Sequence, residues 1–328
     1  MRSRTPAVQA VRAEVQNESA KTVADQYVWV QDAHGEGQLP CHASRPLDAL
    51  DPGIERLLVV VHGALRDSDR YFEHATKAAA AAGDASSFAL IVAPQFLADV
   101  DDAARATAPA DTLYWGVEGW KGGEPALGPA QISSFTAMDC LLLGLTAPRR
   151  LRDGKKPVVV IVGNSAGGQF VNRYAAVGQA PDVLAKRGIP VRFIIANPST
   201  YLYFGHDRPV TVPDDPGINR WRYGFEESPT YVQGTPEESL RRYLKRDVTI
   251  VLGAEDREAD ALLLEVGAAA MAQGANRFER GINYDRHIRR QAGERGLAVN
   301  HQVIELAGVG HAAGDVLVAR QTREIMFG

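Results

Sequence analysis

Residues Val158–Gly168 read Val-Val-Val-Ile-Val-Gly-Asn-Ser-Ala-Gly-Gly. The run Val158–Val162 is β-branched throughout, too short for a helix and without polar alternation, so it predicts a strand buried on both faces. Gly163-Asn164-Ser165-Ala166-Gly167 follows as G-x-S-x-G, and Gln169–Val177 continues with helical character. A strand that turns sharply into a helix forces its corner residue into a strained conformation. Glycines two places to either side are then needed, because side chains there would collide with the neighbouring strand and helix. The Ser165 hydroxyl is expected to stand clear of the sheet, at the positive end of a helix.

Outward from this corner, apolar runs and helical spacings alternate. Tyr27–Val30 and Leu39–Ala43 read as short strands joined by the turn-rich Asp32–Gly37. Leu57–Val61 is a buried strand running into His62-Gly63, Asp69–Ala82 a helix ending at Gly83, and Phe88–Ala93 the next strand. A long loop, Asp101–Pro129, precedes a helix over Gln131–Leu145. Beyond the corner come a strand at Val191–Ala196, an irregular aromatic segment from Tyr201 to Asp247, a strand at Val248–Leu252, a helix at Ala259–Gln273, a strand at His301–Leu306 and a closing helix at Ala312–Met326. Such alternation specifies an α/β fold with a mostly parallel sheet covered on both faces. The expected organisation is an N-terminal extension over 1–26 and one domain over 27–328, with a small cap inserted at about 201–247.

With 45% hydrophobic and 23% charged residues and a net charge of -4, the chain has the composition of a soluble globular protein. It carries no basic block or acidic tail, which argues against nucleic acid or an anionic membrane as partner. Its apolar runs fall far short of the roughly 18 residues that span a bilayer. Arg2 and Arg4 are not followed by an apolar run of the kind a secretory signal carries, so a cytoplasmic location is expected. Cys41 and Cys140 read as two unlinked small apolar side chains, with a single disulfide as the alternative.

A serine hydroxyl is a poor nucleophile at neutral pH and needs a base in hydrogen-bond reach. In open parallel sheets, chemistry gathers at the carboxyl ends of the strands. His311 lies just past the last strand, after Gly308-Val309-Gly310, and is the expected base. His301 would open a strand, His74 and His287 fall on helices, His34 and His42 lie early, and His206 begins the cap. An imidazole needs a carboxylate to hold its tautomer. Glu255 and Asp256 follow the strand ending at Gly253, and Asp256 is chosen because the turn after Gly253 should point every other residue inward. For an oxyanion, the backbone N–H of Ala166 and that of Ala64, in the loop His62-Gly63-Ala64-Leu65, are the expected donors, with His62 orienting the loop.

The His62-Gly63 loop, the Gly163–Gly167 corner, Asp256 and His311, in this order, resemble the α/β-hydrolase superfamily over nearly the whole chain from Tyr27. Within it the chain looks most like bacterial esterases and the polyester-depolymerase-like group. The resemblance implies an eight-stranded, mostly parallel sheet, with Ser165 as nucleophile, His311 as base and Asp256 as orienter. Asn164 stands where many lipases carry His or Tyr, and the loop lacks the His-Gly-Gly-Gly form, which argues against the hormone-sensitive-lipase type.

No metal or nucleotide motif occurs. Gly308-Val309-Gly310 has no third glycine in dinucleotide position, no phosphate-binding G-x-x-x-x-G-K-[ST] is present, and Asp67 and Asp69 are too sparse for a calcium loop. No cofactor is expected. The charge run Arg277–Arg290 reads as a solvated connection or helix face. Leu65, Trp115, Trp120, Asn164, Tyr201 and Trp221 are the expected walls of a substrate pocket. The reading is a serine hydrolase acting on a small-molecule or polymeric carboxylic ester, with activity lost in acid near a base pKa of about 6.5 to 7. An amidase, peptidase or acyltransferase on the same scaffold, or a catalytically silent binding protein, are the alternatives. Oligomeric state is not legible.

Overall fold

The computed structural model describes residues 14–328 except 16, 49–52, 152–154 and 212–215. Most of the expected N-terminal extension, with Arg2 and Arg4, and a part of the expected cap therefore lie outside the described residues. Eight strands form one sheet: β1 (Gln26–Asp32), β2 (Gly35–Ala43), β3 (Arg56–Val61), β4 (Ala89–Pro94), β5 (Val158–Asn164), β6 (Val191–Ala196), β7 (Asp247–Gly253) and β8 (His301–Leu306), in the spatial order β1-β2-β4-β3-β5-β6-β7-β8. Only β1 with β2 and β2 with β4 run antiparallel; every other neighbouring pair is parallel.

The central strands are apolar throughout Leu57–Val61 and Val158–Val162 because each face has its own core. Leu57, Val59, Val61, Val159 and Ile161 point into one apolar cluster, while Leu58, Val60, Val160 and Val162 point into the other. This is the period-2 alternation of a pleated strand with both faces covered. The second face is closed by α1 (Ser68–Ala82), α7 (Ala313–Val318) and α8 (Arg320–Phe327). The first is closed by α2 (Ser134–Leu145), α3 (Ala166–Val177), α4 (Ala180–Lys186), α5 (Pro236–Lys245) and α6 (Arg277–Gly293). Register brings the strand tips to one rim: Val61 pairs with Gly163, Asn164 with Ala196, and Gly253 with Leu306. Among the described residues no helix is long and apolar enough to cross a membrane. Both cysteines are free.

Four expectations change. The helix expected over Ala259–Gln273 reduces to a single turn, Ala268–Met271. Upstream of that turn, tertiary contacts take the backbone groups a helix would use: Glu265 N–H donates to Ser199 Oγ, and Glu265 C=O accepts from Arg280. The helix leading into β8 is instead α6, in the charged run read as a solvated connection or helix face. Asn276 caps it by accepting from Glu279 N–H, and Phe278, Tyr284, Ile288 and Ala292 bury its inner face at helical spacing. Its Arg277 and Arg280 are almost wholly buried, so they are parts of the interior rather than solvated charges. The closing helix is two helices, broken where Ala319 adopts ψ 140°. The segment 201–247, read as irregular, carries α5, whose capping box joins Thr235 and Glu238 and which packs on α3.

Candidate active site

Ser165 occupies the turn between β5 and α3 with φ 60° and ψ -120°, a backbone state that costs a non-glycine residue about 1–3 kcal/mol. The close packing around the turn explains its glycines. A Cβ at Gly163 would run into the Gly167 carbonyl, and one at Gly167 into the carbonyls of Val61, the last residue of β3, and His62. The turn is pinned by Ser165 N–H donating to Ala196 C=O at 3.0 Å.

Three side chains meet at the rim. His311 Nε2 lies 2.9 Å from Ser165 Oγ, and His311 Nδ1 lies 2.7 Å from Asp256 Oδ2. Asp256 is buried, while Glu255 is exposed, so the turn after β7 turns the former inward. Asp256 also accepts from Arg277 at 3.4 Å, a contact the sequence reading missed because Arg277 sat in an apparent surface charge run. The pKa of His311 lies below the ordinary imidazole value. Burial is the main cause and the charge of Arg277 adds to it, against the opposing hydrogen bond to Asp256. This places the ring below the range of about 6.5 to 7 expected from the sequence.

Asparagines tie the rim together. Asn164 donates to the His311 carbonyl at 3.1 Å and accepts from Asn197 at 3.3 Å, and Asn197 accepts from Gly253 N–H at 2.8 Å. The tips of β5, β6 and β7 and the His311 loop are thus one hydrogen-bonded unit. Asn164 is buried in that unit rather than facing substrate.

The loop after β3 is equally constrained. His62 Nε2 accepts from Phe96 N–H at 2.9 Å, which places the proton on Nδ1, from where it is donated to Gly63 C=O at 2.9 Å. Burial pushes the His62 pKa down to about 4, keeping the ring neutral as this pair of bonds requires. Arg66 is wholly buried, meets Asp101 through two hydrogen bonds at 2.7 and 3.0 Å, and donates to the Ala64 carbonyl. The peptide units flanking Ala64 are therefore anchored. Among the described residues, no protein acceptor is within hydrogen-bonding reach of the Ala64 or Ala166 N–H.

A cavity of about 50 Å³ borders Ser165, Ala64 and Ala166, and its remaining walls are Lys121, Gln169, Ser199 and Leu262–Glu265. None of the six expected wall residues lines it. Trp115 and Trp120 are wholly buried: Trp115 donates to Ile132 C=O, and Trp120 stacks with Phe96 and packs on His62. Tyr201 stacks on Tyr284, and Trp221 donates to Gly122 C=O. Leu65 is half-buried on its loop. The aromatics serve as anchors because long loops over a sheet must bury their own apolar side chains to be held in place. The cover over Ser165 comes from 262–265 and not from the segment 201–247, which contributes the Tyr223 hydroxyl to Glu265 from behind. A larger groove, of about 1030 Å³, opens beside Val191 and Asp247, at the starts of β6 and β7 and thus at the opposite rim from Ser165.

No protein-family model and no curated protein sequence matches the chain. Its structure is similar to that of poly(aspartic acid) hydrolase-1 from Sphingomonas sp. KT-1, with a TM-score of 0.64 and 20% identity over 94% of this chain and 100% of the other. It is also similar to a poly(3-hydroxybutyrate) depolymerase from Bordetella parapertussis, with a TM-score of 0.60 and 24% identity over 95% of this chain and 91% of the other. The chain therefore has the α/β-hydrolase fold.

Proposed function

We propose that this protein is a serine hydrolase that cleaves carboxylic esters through an acyl-enzyme. The observation that carries the reading is the continuous hydrogen-bonded series from Ser165 through His311 to Asp256. Ser165 Oγ attacks the ester carbonyl while His311 Nε2 takes its proton. Asp256 holds the Nδ1–H tautomer and stabilises the imidazolium. The N–H groups of Ala64 and Ala166 receive the oxyanion of the tetrahedral intermediate. His311 then returns the proton to the leaving alcohol, and in the second half it draws a proton from water, whose oxygen attacks the acyl carbon and restores Ser165. An alkoxide leaves more readily than an amide nitrogen, which favours the ester. Among the similar structures both named proteins act on polymers by their names, and a polymeric ester is within the proposed substrate range.

The test is hydrolysis of a short-chain chromogenic ester together with labelling by a fluorophosphonate. Turnover and labelling are expected in the native protein, and neither in Ser165→Ala. Turnover that survives in Ser165→Ala overturns the reading.

A further inference from the structure

An ester that is wholly apolar gives a hydrolase no reason to place a lysine inside its catalytic cavity. Lys121 is only 4% exposed, yet it shares the cavity beside Ser165 with Gln169 and Glu265. Its ammonium lies 2.7 Å from Glu118 and 3.9 Å from Glu265, so of its three N–H groups only one meets a close carboxylate.

The surroundings hold more positive than negative charge in direct contact. Arg222 shares Glu118 with Lys121. Arg173, wholly buried on α3, donates to Lys121 C=O, Arg222 C=O and Thr200 Oγ1, all neutral oxygens. Arg280 likewise donates to the carbonyls of Gly274, Ser199 and Glu265. Lys121, Arg173, Arg222 and Arg280 thus gather around two carboxylates, Glu118 and Glu265, while Glu124 and Glu279 act from farther away. Glu265 reports the resulting potential. Burial alone would raise its pKa, yet Lys121, Arg173, Gln169 and Arg222 together bring it down to about 2. A carboxylate in this cavity is held strongly in its charged form, in a chain whose overall charge is -4.

We propose that the preferred substrate is an ester whose acyl portion carries a carboxylate, which docks on Lys121 beside Ser165. This rests on the serine-hydrolase reading and names its substrate class. The cavity is small, about 50 Å³, so it takes only a short, compact end of the acyl group, and the substrate class is a monoester of a small dicarboxylic acid. Glu265 and Glu118 fix the ammonium in place, and Arg173 and Arg280, whose hydrogen bonds go to neutral groups, add positive charge behind it that the substrate carboxylate answers.

The experiment compares monomethyl succinate, an anion, with methyl pentanoate, a neutral ester of similar length, by proton release at constant pH. The native protein is expected to show kcat/KM at least tenfold higher for the anionic ester, mainly through KM, with succinate slowing fluorophosphonate labelling of Ser165. Lys121→Met should bring the ratio of the two kcat/KM values close to one, and Lys121→Arg should retain most of it. The native ratio decides the matter even where Lys121→Met does not fold. Equal or better hydrolysis of the neutral ester, abolished in Ser165→Ala, overturns this inference and leaves the serine-hydrolase reading standing. Absence of any ester hydrolysis, or its persistence in Ser165→Ala, overturns both.

Discussion

The imidazole Nε2 of His311 stands 2.9 Å from the Ser165 hydroxyl oxygen across 146 residues of chain. The contact follows from the register of parallel strands. β5 and β8 end at the same rim, and the loops leaving that rim carry both groups toward one point.

Replacing Ser165 or His311 by Ala is expected to lower kcat on a short-chain ester roughly 10⁴- to 10⁶-fold, and Asp256→Asn by about 10⁴-fold because it permits the wrong tautomer. Circular dichroism and thermal melting of each variant establish that the loss is chemical. A variant that folds normally and keeps more than a tenth of native kcat contradicts the assigned role.

The base acts only when neutral, so the acid limb of kcat/KM follows the protonation of His311. With its pKa lowered by burial and by Arg277, the midpoint is expected below 6.5. Arg277→Met removes a cation from the vicinity of both Asp256 and the ring, and should move the limb to higher pH. A limb that stays in place or moves toward acid rejects this electrostatic assignment.

Arg66 and Asp101 form a wholly buried pair that anchors the Ala64 loop. Arg66→Met leaves the Asp101 carboxylate with the N–H groups of Ala20 and Ala98 but without its cation, and losing one partner of a buried pair costs about 3–5 kcal/mol. Urea denaturation should show a drop of this order, with kcat falling further than the amount of folded protein explains. Full stability in Arg66→Met would show that the backbone N–H groups of Ala20 and Ala98 suffice to hold the Asp101 carboxylate.

Stability should decline as pH falls from about 6.5 to about 4. Burial lowers His62 and His301 to about 4 and His287 to about 3, so between those values and 6.5 the unfolded chain binds protons that the native state refuses. Asp67, raised to about 6 by burial, works the other way, since it binds a proton earlier in the native state. The histidines prevail, each at roughly 1.4 kcal/mol per pH unit while it titrates. Calorimetric melting across this range tests the sign, and His301→Gln should flatten the slope by about one proton.

Much of the architecture is readable because it depends on neighbours in sequence. Val158–Gly168 demands a buried strand, a tight corner and a helix whatever surrounds it, and the parity of the turn after Gly253 separates Asp256 from Glu255. The readings that changed all concern tertiary context. Trp115 and Trp120 look like pocket walls until their loop is folded back into the core. Arg277 and Arg280 look solvated until Asp256 and a row of carbonyls are found to meet them. Ala259–Gln273 has helical composition, but the Ser199 and Arg280 side chains claim the backbone of Glu265 first.

The amino-acid sequence by itself determined the order of the eight sheet strands, the strained corner at Ser165 and the placement of His311 at a strand tip, since periodicity, chain stiffness and glycine sterics act over a few residues. Only the tertiary structure decided which charges surround the serine. Lys121, Arg173, Glu265 and Arg280 are far apart in the chain, and a buried ion is tolerated only where other parts of the fold bring it partners.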